Sequence, residues 1–284
     1  MRKVYVNGQT VPESEAKISV FDRGFLFADG VYEVVAVLGG KLVDYDGHVR
    51  RLKRSLGELR MRAPLRDDEL LSAVRSMVEV NLLDEGLVYL QVTRGPADRD
   101  FAYPAEDVTP SLVMFTQAKS LLANPAAKTG IRIVTVPDLR WQRRDIKTVQ
   151  LLYPSMAKME ARRLGADDAW MVEDGLVTEG TSNNAYIVTA DGMIVTRGLS
   201  HSILSGITRA AILEVAREAG MQLVEKPFSV AEALAASEAF ITSASAFVLP
   251  VVQMDGRPIG SGAIGPVTAR LREIYIAGCM ESAS

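Results

Sequence analysis

Residues 31–59 read VYEVVAVLGGKLVDYDGHVRRLKRSLGEL. The run Val31–Leu38 is rich in β-branched residues, which predicts a strand. Gly39-Gly40 supplies a tight turn, and KLVDY returns as a second strand. Asp46 then stands where a helix N-cap is wanted, ahead of Val49, Leu52, Leu56 and Leu59 on one helical face. Pro64 ends that pattern, and Asp67-Asp68 opens another helix through Leu71, Val74, Val78 and Leu82. A strand that folds straight back on its neighbour and is then covered by helices has no strict βαβ alternation. The expected class is α+β in two lobes, not a doubly wound parallel sheet.

The same reading extends in both directions. Upstream, KVYV and QTV flank Asn7-Gly8, the dipeptide of a type I′ hairpin turn. Downstream, LVYLQVTRG and SLVMFTQA predict strands. Residues 119–130, KSLLANPAAKTG, are Ala-rich with Asn124-Pro125 inside and predict an interdomain linker. This gives a smaller N-terminal α/β lobe at 1–118, the linker at 119–130 and a larger lobe at 131–284. The second lobe opens with the strand IRIVTV and continues with a helix around Ser155–Leu164. Turns follow at Glu173-Asp174-Gly175 and Asp191-Gly192. Helices are expected at Ile207–Ala219 and Val230–Ala236. The strand AFITS, the hairpin VVQMDGRPI and a helix from Pro266 complete the chain.

Composition removes several classes of function. The chain has 284 residues, 48% hydrophobic and 24% charged, with 32 Lys+Arg against 35 Asp+Glu and a formal net charge of −3. A nucleic-acid binder would need a basic footprint. Cys279 is the only cysteine, so no internal disulfide can form, which fits a reducing compartment. MRKVYVNGQTVPESE has no apolar signal core, and no apolar run is long enough to span a membrane. A cytoplasmic protein without membrane or nucleic-acid partners is expected. Two histidines and one cysteine offer almost no ligands for a zinc or iron–sulfur site, so no metal is expected. GxxxxGK[ST], GxGxxG, HExxH and GxSxG are all absent.

What remains is a set of short polar elements at strand and helix ends. They are Asp145-Ile146-Lys147-Thr148, Glu179-Gly180-Thr181-Ser182-Asn183-Asn184, Leu204-Ser205-Gly206-Ile207-Thr208-Arg209 and Thr242-Ser243-Ala244-Ser245. The Gly-Ile-Thr helix start and the TSAS loop could cradle an anion such as a phosphate. Ser, Thr and Gly also serve plain turns and caps, so these residues alone leave both readings open.

Taken together and in order, FDRGFLFADGVYEV, GHVRRL, VTRG, RRDIKT, EGTSNNAYIV, LSGITR and ITSAS resemble the fold-type-IV pyridoxal-phosphate enzymes, the D-alanine and branched-chain aminotransferase family. The resemblance spans nearly the whole chain. GVYEV is more similar to the D-amino-acid branch. The resemblance implies a two-lobed fold and pyridoxal 5′-phosphate as cofactor. It implies that Lys147 is the catalytic residue, Schiff base and proton shuttle between substrate Cα and cofactor. Glu179 would pair with the pyridine nitrogen. Arg51, Ile207, Thr208 and Ser243 would hold the phosphate, Leu204 would pack on the ring, and Ser182 and Asn183 would complete the cofactor set.

For substrate, the resemblance points to Tyr32, Arg99 and Ala244. The D-alanine enzymes bind the substrate carboxylate with an arginine and a histidine two residues later. This chain keeps Arg99 but has Phe101, which cannot donate a hydrogen bond. The implied reaction is transamination between D-amino acids and 2-oxo acids, for example D-alanine plus 2-oxoglutarate to pyruvate plus D-glutamate. A homodimer with sites near its interface is implied as well. A branched-chain L-amino-acid aminotransferase, an (R)-amine transaminase and an aminodeoxychorismate lyase share the fold. A catalytically silent cofactor-binding paralogue is the reading of another class, and an intact Lys147 argues against it.

Overall fold

A computed structural model describes residues 1–283 of the chain. Contacts divide it into two units: Met1–Ser120 with Ile146–Gln150, and Leu121–Asp145 with Leu151–Glu281. The short segment 146–150, with Lys147 in it, thus belongs with the N-terminal residues rather than with its sequence neighbours.

The first unit is built on a six-stranded antiparallel sheet. Its strands are β1 (Lys3–Val6), β2 (Gln9–Pro12), β3 (Gly30–Leu38), β4 (Lys41–Leu42), β5 (Gly86–Thr93) and β6 (Ser111–Ala118), ordered β2-β1-β6-β5-β3-β4. Asn7 and Gly8 take φ 48° and 93° between β1 and β2, the positive angles a type I′ turn demands. After the short helix α1 (Arg23–Phe27), two longer helices, α2 (Tyr45–Glu58) and α3 (Asp67–Val80), cover the sheet. Leu52, Leu56, Val74 and Met77 pack there against Val31, Val35, Val88 and Leu90. The cap of α2 differs from expectation. Asp46 lies inside the first turn, and Asp44, at φ 52°, occupies the N-cap without its side chain capping the helix. An aspartate tolerates that left-handed angle better than most residues, and Asp46 still favours the positive end of the helix dipole.

The second unit carries a nine-stranded mixed sheet. β7 (Ile131–Pro137), β8 (Asp168–Glu173), β9 (Leu176–Gly180), β10 (Asn184–Val188), β11 (Ile194–Thr196), β12 (Leu223–Glu225), β13 (Glu238–Ser243) and β14 (Phe247–Met254) run in the order β12-β11-β10-β13-β14-β7-β8-β9, with β15 (Arg257–Pro258) on β14. Only the β11/β12, β14/β7 and β7/β8 pairs are parallel. The helices are α4 (Ala126–Thr129), α5 (Leu152–Arg163), α6 (Ile207–Glu218), α7 (Val230–Ala235) and α8 (Pro266–Ser282). The class is α+β.

The stretch expected to be a linker is partly structured. Its residues 126–129 form α4, and Leu121 is fully buried. Arg272 of α8 donates to the carbonyls of Leu121 and Leu122 through Nη2, and to those of Ala246 and Val248 through Nη1. No helix among the described residues is long and apolar enough to cross a membrane.

Candidate active site

The first unit presents Lys147 on a segment laid along one edge of β3. The Tyr32 amide donates to the Lys147 carbonyl at 3.0 Å, and the Val149 amide to the Gly30 carbonyl at 3.1 Å. Ile146 anchors the segment in the core, and the Lys147 amide reaches Ser55 Oγ at 3.4 Å. Lys147 Nζ stands 4.2 Å from the centroid of the Tyr32 ring, and no carboxylate pairs with it among the described residues. The Tyr32 ring stacks on Tyr89, and Tyr89 on Phe115, with centroids 5.5 and 4.7 Å apart. Tyr32 is therefore the end of an aromatic ladder on one sheet face.

Arg51 lies on the buried face of α2 and forks onto Glu33, Nε to Oε1 at 2.8 Å and Nη2 to Oε2 at 2.6 Å. His48 Nδ1 meets the same Oε2 at 2.7 Å. Burial alone would raise the Glu33 carboxyl, but the Arg51 charge and hydrogen bonds, helped by His48, outweigh it and bring it to about 2. The fork fixes the guanidinium plane.

Arg99 lies on an exposed loop. Its guanidinium sits 5.4 Å from the Phe27 ring centroid and 5.6 Å from that of Phe101. Phe101 is 81% exposed. Arg94 is a structural anchor: it forks onto Asp29 at 2.7 and 3.1 Å and donates to the carbonyls of Leu59 and Arg60.

In the second unit, Glu179 is the last residue but one of β9 and is nearly fully buried. Arg140 Nη1 donates to its Oε1 at 2.6 Å. Asn184 Nδ2 and the Leu204 amide donate to its Oε2 at 3.0 and 3.1 Å. Burial pushes the carboxyl above its usual range, with Arg140 working in the opposite direction. Arg140 is itself held by Asp138, through Nη2 at 2.7 Å and Nε at 3.0 Å, and Thr178 donates to the same aspartate at 2.7 Å.

Asn184 is the hub here. It also donates to the Leu204 carbonyl at 3.0 Å, it pairs with Thr242 across β10 and β13, and a Cβ on Gly206 would run into its Oδ1. Glycine at 206 is thus a packing requirement. Gly206 caps α6 with no side-chain hydrogen bond, so the first amides of that helix, Ile207 and Thr208, keep their donor capacity. Ser243 ends β13 and Ala244 follows in a turn closed by Ala246 N–H to the Ser243 carbonyl, and Ser243 Oγ lies 3.4 Å from Ser245 Oγ.

Of the expected cofactor set, Glu179 and Leu204 bond directly to Asn184, Ile207 and Thr208 follow Gly206, which packs on it, and Ser243 follows its strand partner Thr242. Asn183 points elsewhere: its Nδ2 donates to Asp168 at 2.7 Å, beside Thr181 on the same carboxylate at 2.6 Å. Ser182 is exposed at the loop. The cations beside Lys147 in sequence are also committed, Arg143 to Asp145 and Arg144 to Glu173. Sequence reasoning missed Asn184, Arg140 and Glu33. Strand alternation was the usable signal for Asn184, which opens β10 where Asn183 lies in the loop before it.

The residues fit pyridoxal 5′-phosphate. A carboxylate has about four acceptor positions, and Glu179 fills three with Arg140, Asn184 and Leu204. One is left for a protonated ring nitrogen. The α6 start suits a phosphate, and Lys147 offers an uncommitted amine.

The family model for Amino-transferase class IV matches residues 30–254. The chain is 38% identical over 273 residues to D-alanine aminotransferase of Staphylococcus aureus (strain MSSA476), covering 96% of each. It is 40% identical over 272 residues to D-alanine aminotransferase of Bacillus licheniformis, covering 95% of this chain and 94% of the relative. Among solved structures, a T.th. branched-chain amino acid aminotransferase with pyridoxamine 5′-phosphate has TM-score 0.90 and 28% identity, covering 98% of this chain and 94% of that one. The Escherichia coli branched-chain enzyme has TM-score 0.89 at 24% identity, with the same coverage, a likeness of fold alone. With the match covering most of its length, the chain belongs to the class IV aminotransferases.

Proposed function

We propose that this chain is a pyridoxal-phosphate-dependent D-amino-acid aminotransferase in which Lys147 moves the proton and Glu179 governs the cofactor ring. The observation that carries the reaction class and substrate hand is the 38–40% identity to D-alanine aminotransferases along nearly the full length. The branched-chain enzymes share the fold at 24–28% identity, so that alternative fits less well. D-Alanine would give up its amino group and leave as pyruvate. A 2-oxo acid such as 2-oxoglutarate would receive the group and leave as D-glutamate.

Each residue has a physical task. Lys147 Nζ would hold the cofactor and, once released, take the proton from the substrate α-carbon and return one. When bound, the cofactor ring supplies the sink for the electron pair left at that carbon. Glu179 would accept the ring N–H at its remaining position, and Arg140 favours the charged form of its carboxylate. Arg51, oriented by Glu33, and the first amides of α6 with Ser243 would hold the phosphate. Leu204 would pack on the ring, with Ser182 and Asn183 acting indirectly through the loop between β9 and β10. Tyr32 and Ala244 would border the substrate, and Arg99 would receive its carboxylate.

Homodimerisation is supported by the apolar side chains Val20, Phe21, Phe25, Phe101 and Tyr103, each more than half exposed on segments that hydrogen-bond to one another. The lone buried thiol of Cys279 agrees with work in a reducing cytoplasm. Residues 119–130 would connect the two lobes.

Arg99→Ala tests the substrate assignment. A hydrogen bond to a charged group contributes about 1.5–3 kcal/mol, so KM for D-alanine should rise about 10- to 100-fold. Neutral amines, which lack the carboxylate, should be little affected. Equal effects on both would remove Arg99 from this role.

A further inference from the structure

We propose that Phe101 and Phe27 are positioning residues that hold the Arg99 guanidinium ready for a carboxylate. The inference rests on the reading of Arg99 as the carboxylate receptor. The two rings meet edge to face, centroids 5.7 Å apart at 64°. Arg99 lies within cation–π reach of both, at 5.4 and 5.6 Å. No acid pairs with it among the described residues, so its forked donors point to no protein anion. An exposed arginine has high rotamer freedom, and ordering it on binding costs free energy. Two rings that cradle the planar cation lower that cost in advance while leaving the N–H edge open.

The support beneath the rings is itself fixed. Arg23 is nearly fully buried, pairs with Asp29 at 2.8 Å, and lies 4.5 Å from the centroid of Phe27. Its Nη1 donates to the Asp100 carbonyl at 2.7 Å and the Ala102 carbonyl at 3.3 Å, the residues on either side of Phe101. One buried cation therefore sets both the ring below Arg99 and the backbone that carries Phe101. A phenylalanine at 101 makes no hydrogen bond to a substrate, but here its ring steadies the group that does.

The test uses the cofactor-loaded full chain, with propionate as a competitive inhibitor that offers a carboxylate and no amine. Phe101→Leu should raise both the propionate Ki and the KM for D-alanine about three- to fivefold, the size of one exposed ring–cation contact. Its kcat should stay near the parent value, and Phe101→Tyr should restore the parent Ki. In the Arg99→Ala background, Phe101→Leu should add nothing further. If Arg99→Ala raises both constants and Phe101→Leu raises neither, or if the two effects multiply independently, the positioning role is overturned and the reading of Arg99 stands. If Arg99→Ala leaves both constants unchanged, the carboxylate reading itself fails.

Discussion

Lys147→Ala should lower transamination by at least about 10²–10⁴-fold, the contribution of a positioned proton-transfer group, and leave the fold intact. The side chain is half-buried, makes no ion pair among the described residues, and rests on the Tyr32 ring. Its removal therefore strands no buried charge. The segment is held by backbone hydrogen bonds to β3 and by Ile146 in the core, neither of which needs the amine. Steady-state turnover of D-alanine with 2-oxoglutarate reads the first effect, and the thermal unfolding midpoint reads the second. A Lys147→Ala variant that turns over near the parent rate would dismiss Lys147 as the proton carrier. A large fall in the midpoint would assign the lysine a structural task instead.

The second large effect lies on the buried acid behind Arg51. Glu33→Gln keeps the shape but removes the charge that faces Arg51, which is 9% exposed. Removing one partner of a buried ion pair costs about 3–5 kcal/mol. The pH dependence has a definite sign. The Glu33 carboxyl is lowered from 4.5 to about 2 in the folded chain. A depressed carboxyl contributes stability above its unfolded value and loses it as pH falls toward the folded one. The interval corresponds to about 3 kcal/mol. The stability gap between parent and Glu33→Gln should therefore be constant above pH 4.5 and shrink as pH falls from there toward 2. Unfolding followed across that range checks it, and a gap that does not narrow contradicts the assignment. Because the same carboxylate orients Arg51, affinity for pyridoxal phosphate should fall in the variant at neutral pH.

Much of this architecture is written in local pattern. The Asn7-Gly8 turn, the β-branched run of β3, the Asp191-Gly192 turn and the Pro266 helix start each follow from backbone preferences of a few residues, and each forms where those preferences lie. Of the proposed site, Lys147, Glu179 and the Gly206-Ile207-Thr208 helix start stand out in the sequence because they sit at motif positions. What was not legible is set by contacts between distant segments. Nothing near residue 147 says that five residues will leave the second unit to lie along β3. Arg140 and Glu179 meet across 39 residues, and Arg51 and Glu33 across 18. Asn183 and Asn184 are identical in type, and only the register of β10 against β13 turns the second toward Glu179. The cap of α2 failed for a local reason: two aspartates two residues apart both suit a helix start, and backbone geometry chose Asp44.

The central claim is that this class IV aminotransferase takes the amino group from D-amino acids. The direct measurement is a single turnover of the cofactor-loaded protein with D-alanine or L-alanine and no acceptor, scored as pyruvate released per chain. Up to one equivalent of pyruvate is expected from D-alanine and almost none from L-alanine. Pyruvate from L-alanine in preference to D-alanine, or from neither, would contradict it.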